Sequence, residues 1–159
     1  MPVKLLFELE GIDLDRIEYT IDDVRKMNPH RFEFEQVTAI VAFQPERKRV
    51  VGLRDVREDE FWVRGHIPGN PLFPGVLMLE SAAQVCSFYS GMVVKAEGFL
   101  GLGGMDGVRF RGVVRPGEKL YILGSERVLT PSRCQFDTQG VVNGKVVFEA
   151  TILGLRIRS

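Results

Sequence analysis

The feature that most constrains this chain is a long segment with almost no polar face. From Gly75 to about Lys95 it reads GVLMLESAAQVCSFYSGMVVK. Pro74 stands just before it, a good first helical residue because the N–H it lacks would have no partner there. Apolar or small side chains then follow nearly all the way round. A helix without a solvent face is normally a buried central one. Something must wrap it, and the wrapping material lies downstream. Residues 108–114, 119–129, 133–142 and 145–157 are rich in β-branched and aromatic residues, the composition of strands. Arg115-Pro116-Gly117-Glu118 separates the first two, and Asn143-Gly144 is a strong two-residue hairpin signal. The expected architecture is α+β, one long central helix wrapped by an antiparallel sheet.

Upstream the pattern is less regular. Thr20 with Asp23 three residues on predicts a short helix over residues 21–27, stopped by Asn28-Pro29. Val37, Ala39, Val41 and Phe43 alternate and predict a strand over 32–43, with further extended pieces at 49–56 and 60–64. The glycine-rich run 98–107 is expected to connect helix to strands. Residues 1–19 are set apart as an N-terminal extension that could add a strand or cover a tunnel, leaving 20–159 as a single domain.

A length of 159 residues suits one core. The 21 basic residues balance the 21 acidic ones, which argues against nucleic acid or an anionic membrane as partner. Cys86 and Cys134 lack metal-ligand spacing and are expected to be reduced core thiols. The N-terminus lacks the apolar stretch of a signal peptide, and no apolar run is expected to approach the roughly 18 residues of a membrane span. A cytoplasmic protein is expected.

Three features carry chemistry. Glu80 and Gln84 are four apart, so they share one face of the apolar helix. A carboxyl in such surroundings favours its neutral, proton-donating form unless it reaches solvent or pairs with an arginine. His66, one of two histidines, lies in the turn-rich loop feeding the helix, and could supply a base to match that acid. The helix start at Pro74-Gly75 offers free N–H groups that can polarise a carbonyl oxygen.

The run from Gly65 to Gln84, GHIPGNPLFPGVLMLESAAQ, resembles the active-site signature of the bacterial 3-hydroxyacyl-[acyl-carrier-protein] dehydratases of type II fatty acid synthesis, H-F-P-G-x-P-x-x-P-G-V-L-x-x-E-x-x-A-Q, with Ile67 for the usual Phe. Asn28-Pro29-His30-Arg31-Phe32 is similar to the family's P-H-R-Y stretch. Asp106-Gly107-Val108-Arg109-Phe110-Arg111 through Pro116-Gly117 is similar to its D-x-A-R-F-R-x-P-V-x-P-G-D.

The resemblance implies a hotdog fold with active sites at a dimer interface, His66 of one subunit facing Glu80 of the other, in a homodimer or a trimer of dimers. It implies dehydration of (3R)-3-hydroxyacyl-[acyl-carrier-protein] to the trans-2-enoyl product. His66 would be the base, Glu80 the acid, the Gly75 N–H the carbonyl-polarising donor and Gln84 the residue orienting Glu80. A tunnel would receive the acyl chain on the phosphopantetheine of acyl carrier protein, with no metal or diffusible cofactor. Arg109, Arg111, Arg115 and Lys119 alternate along one strand and its turn and could form a basic landing patch for that acidic carrier. His30 is expected to support its loop only.

Two departures bear on the tunnel. Phe32-Glu33-Phe34-Glu35 puts two charges where the family is apolar, and Gly101 stands where members often carry a gating Tyr. The alternatives are a related hotdog thioesterase, an enoyl-CoA hydratase, or a non-catalytic hotdog subunit.

Overall fold

The computed structural model describes residues 2–158. A capping box sets the first helix, α1 (Ile21–Met27): the Asp23 N–H donates to the Thr20 hydroxyl, and the Thr20 N–H donates to the Asp23 carboxylate at 3.1 Å. Strands β1 (Ala39–Gln44) and β2 (Arg49–Asp55) follow as a hairpin. Helix α2 (Gly75–Val93) ends two residues earlier than the sequence suggests. Then come β3 (Phe99–Phe110), β4 (Lys119–Leu129), β5 (Arg133–Val142) and β6 (Lys145–Ile157). All six strands form one antiparallel sheet in the order β1-β2-β4-β5-β6-β3. The β5–β6 hairpin turns where Asn143 and Gly144 both take positive φ, 49° and 76°.

This is the expected hotdog arrangement. The buried side of α2 presents Met78, Ala82, Val85, Phe88 and Tyr89 to Val50, Leu120, Ile122, Phe136, Phe148 and Ile152 of the sheet. By length and composition α2 could also cross a membrane, so the expectation that no such apolar run exists is corrected. What distinguishes it is the sheet packed around it. Cys86 and Cys134 are free and buried, and burial pushes both thiols up.

Four expected elements differ, the first being the strand placed at 108–114, which is only the end of β3 and stops at Phe110. The strand placed at 32–43 begins only at Ala39, and 32–34 is a 3₁₀ turn. The alternating pattern was real, but pairing with β2 starts only where the Thr38 N–H donates to the Leu53 carbonyl, 2.8 Å. Before that the chain is tied to helices: Glu35 accepts two bonds from the Arg25 guanidinium, at 2.6 and 2.9 Å, and the Gln36 N–H donates to the Gln84 side chain.

Residues 60–64 form turns anchored by buried Trp62, and among the described residues they pair with no strand. The glycine-rich run from 98 is mostly strand. A Cβ on Gly101 would lie 2.4 Å from Ile157 Cδ1, and one on Gly103 2.8 Å from Leu155 Cγ. Here glycine marks close approach to β6 rather than a loop. A Tyr at position 101 would require the exposed Ile157 side chain to move aside.

The N-terminal segment adds no strand among the described residues beyond one bridge, Tyr19 to Ile40. Leu5, Leu6, Phe7, Leu9, Ile12 and Leu14 instead cover Val41, Val51, Leu53, Leu123 and Val141 on the face of the sheet away from α2. The Leu6 N–H donates to Gln139 Oε1 (2.9 Å), and Gln139 Nε2 donates to the Lys4 carbonyl (3.0 Å).

Candidate active site

His66 sits in the exposed loop before α2. Its Nδ1 lies 2.7 Å from the Leu72 carbonyl oxygen, an acceptor only, so Nδ1 carries the hydrogen and the Nε2 lone pair is left free. The Leu72 N–H donates in turn to the His66 carbonyl (2.8 Å), closing the loop on itself. Gly75 opens α2 with no side-chain cap, and among the described residues its N–H has no acceptor. The Phe110 ring lies across this point: a Cβ on Gly75 would be 2.8 Å from Phe110 Cε1.

Glu80 is not sealed into the core; its side chain keeps 21% of its exposure. One turn on, Gln84 holds it. Gln84 Nε2 donates 2.8 Å bonds to Glu80 Oε1 and to the Phe34 carbonyl, while Gln84 Oε1 accepts from the Gln36 N–H (2.9 Å). The Gln36 bond fixes which end of the Gln84 amide faces Glu80. Oε1 of Glu80 is therefore an acceptor, and Oε2 is left to carry and give a proton. The pairing of positions 80 and 84 is as the helix spacing suggested. Among the described residues of one chain, His66 and Glu80 share no hydrogen bond or ion pair.

The support runs deeper than the helix. Gln36 Oε1 accepts from buried Arg54 Nη2 (2.8 Å), and Arg54 is paired with Glu60, a carboxylate also almost wholly buried. Burial pushes the Glu60 carboxyl up, but the Arg54 bond and charge, the Arg57 N–H and the Trp62 indole outweigh it and hold it below its ordinary 4.5. Folding thus gains from ionised Glu60 above that value, and the gain is lost as pH falls through the lowered one. Replacing Arg54 by Ala strands this charge, and a loss of about 3–5 kcal/mol is expected, read as a lower urea midpoint at unchanged slope.

A residue that sequence reasoning assigned to the loop alone also reaches the site. His30 Nε2 lies 3.6 Å from Glu80 Oε1, with its ring stacked on Phe34, centroids 6.3 Å apart. The loop support expected of the His-Arg pair comes from Arg31, whose guanidinium donates to the carbonyls of Asn28, His30 and Arg25. The available signal was thin: His30 is one of only two histidines.

The four basic residues singled out, Arg109, Arg111, Arg115 and Lys119, are all exposed. Arg111 pairs with Glu149 at 2.8 Å, and Arg115 Nη1 donates to Asn70 Oδ1 at 2.5 Å, bracing the His66 loop. A cleft of 410 Å³ behind the 28–37 loop is lined by charged Arg25, Glu35 and Glu60 together with apolar Ile21, Val37 and Phe61. It includes neither His66 nor Glu80.

A loop histidine with a free Nε2, a carboxyl oriented from a central helix, and a sheet wrapped around that helix define a class: the chain belongs to the FabA-like family, whose model matches residues 28–151. Among relatives, the 3-hydroxyacyl-[acyl-carrier-protein] dehydratase FabZ of Caldicellulosiruptor bescii is 37% identical over 139 residues, 85% of this chain and 96% of that protein. The FabZ of Caldanaerobacter subterraneus subsp. tengcongensis is 44% identical over 101 residues, 63% of this chain and 71% of that one. The chain also matches the bifunctional enzyme LpxC/FabZ of Chlorobaculum tepidum, 36% identical over 140 residues and 85% of this chain, but spans only 29% of that protein's length. In fold it is similar to a chain of the dehydratase heterocomplex ApeI:P from Xenorhabdus doucetiae (TM-score 0.74, 18% identity, covering 86% of this chain and 91% of that one).

Proposed function

We propose that this chain dehydrates (3R)-3-hydroxyacyl-[acyl-carrier-protein] to trans-2-enoyl-[acyl-carrier-protein] in fatty acid biosynthesis, in the cytoplasm, at a site shared by two copies. The observation that carries the reading is the complementary dress of the two groups. Leu72 leaves His66 with a bare Nε2, a base, and Gln84 leaves Glu80 with a free Oε2, an acid.

The thioester carbonyl accepts a hydrogen bond from the Gly75 N–H at the positive end of α2, which acidifies the α-carbon. His66 Nε2 takes the α-proton, the Cα=Cβ double bond forms, and the C3–O bond breaks as Glu80 Oε2 gives its proton to the departing hydroxyl. Water leaves, and return of the proton from imidazolium to carboxylate restores both groups. Side chains supply every proton, so this sequence of steps calls on no metal or diffusible cofactor.

The lack of any hydrogen bond or ion pair between His66 and Glu80 among the described residues of one chain supports a homodimer as the smallest working unit. So does β3, which among the described residues pairs only with β6 and leaves its other edge open, with Phe99, Leu102 and Phe110 exposed along it. Ile67 and Val76 are exposed beside the site itself. An acidic carrier protein would meet Arg109, Arg111, Arg115 and Lys119, all four exposed.

The test is direct. Given a 3-hydroxybutyryl thioester on carrier protein, the enzyme is expected to yield enoyl thioester and no free thiol. Free thiol without enoyl product would make it a thioesterase and overturn the reading.

A further inference from the structure

Between them, Gln84 and His30 account for the surroundings of Glu80 Oε1. A carboxylate oxygen has two lone-pair directions, and Gln84 Nε2–H takes one at 2.8 Å. His30 Nε2 stands 3.6 Å from the same atom, the separation of an ion pair and a short step from a second hydrogen bond. The opposite ring nitrogen decides the tautomer. His30 Nδ1 is buried without a partner, and a buried orphan N–H is a rarer and costlier feature than a bare acceptor. The hydrogen of the neutral ring thus belongs on Nε2, pointing at Glu80. Phe34 fixes the ring plane from one side, and Arg31 holds the backbone beneath it.

Resting on the reading of Glu80 as the acid, we infer that His30 is a positioning residue for that acid: its Nε2–H is a second donor to Glu80 Oε1, confining the transferable proton to Oε2 and stabilising the carboxylate once that proton has gone to the leaving hydroxyl. His30 exchanges no proton with the substrate. Its neutral form is the one favoured, since burial pushes its titration down, opposed by Glu80 and Glu35 and aided by Arg31.

The geometry is specific enough to test by isosteres. The amide nitrogen of Gln can stand where Nε2 stands, and that of Asn only where Nδ1 stands. His30→Leu is expected to lower kcat roughly ten- to hundred-fold with KM little changed, the range of a hydrogen bond to a charged group. His30→Gln should recover most of that loss, and His30→Asn should not. Equal behaviour of Gln and Asn, or full activity of His30→Leu, would overturn the inference.

A measurement without turnover stands beside these. Two histidines give two NMR titrations, separable with His66→Ala. In Glu80→Gln the His30 signal should titrate at lower pH than in the wild type, because the carboxylate that opposes burial is gone. An unmoved His30 titration would likewise overturn the contact. A wild-type chain without dehydratase activity would remove the proposed function and this inference together. An active wild type, an inactive Glu80→Gln and a fully active His30→Leu would remove this inference alone.

Discussion

Glu80→Gln should lose about 10²–10⁴-fold in kcat for dehydration while melting close to the wild type. The change is nearly isosteric, and the structure shows why the fold should accept it. Glu80 Oε1 is the atom that receives the Gln84 bond, and a carboxamide oxygen can receive it equally well. The new amide nitrogen then stands where Oε2 stood. It can donate a hydrogen bond to the substrate's 3-hydroxyl but cannot surrender a proton, so binding survives and elimination fails. The split to look for is a collapsed kcat with KM nearly unchanged. A Glu80→Gln enzyme within a few-fold of wild type would move the acid elsewhere.

His66→Ala should lose a similar factor, about 10²–10⁴-fold, by removing the base rather than the acid. The distinguishing readout is isotopic. In heavy water the wild type should wash deuterium into the α-carbon on the reverse, hydrating, path, and His66→Ala should not. Its side chain is exposed and makes one recorded bond, to the Leu72 carbonyl, so the stability loss should be small beside the loss of activity. If exchange at the α-carbon persisted undiminished, another group would be the base.

Parts of this architecture were legible in the amino-acid sequence because their causes are local. Helix α2 announces itself through an apolar surface too complete for solvent. The bounds of β4, β5 and β6 fall where β-branched runs meet turn residues, and Asn143-Gly144 closes the last hairpin as its composition requires. The Glu80–Gln84 bond follows from helical spacing alone.

Elements set by distant partners were not legible. β3 carries glycines that read as a loop, and it is a strand because β6 lies beside it, with the Ile157 and Leu155 side chains lying over positions 101 and 103. Residues 32–38 alternate like a strand, yet Arg25 of the preceding helix and Gln84, remote in sequence, hold them off the sheet. His30 looked like a loop support because nothing in its own neighbourhood reveals which carboxylate it faces.

The central claim is that catalysis needs His66 of one chain and Glu80 of another, and mixing tests it most directly. Purified His66→Ala and Glu80→Gln proteins, each inactive, are combined at equal concentration and allowed to exchange subunits. Half of the resulting dimers are mixed, and in each of those one of the two symmetric sites has both groups intact. About a quarter of the wild-type dehydration rate should return. If exchange is complete and no activity returns, the acid and base belong to a single chain, and the shared site is wrong.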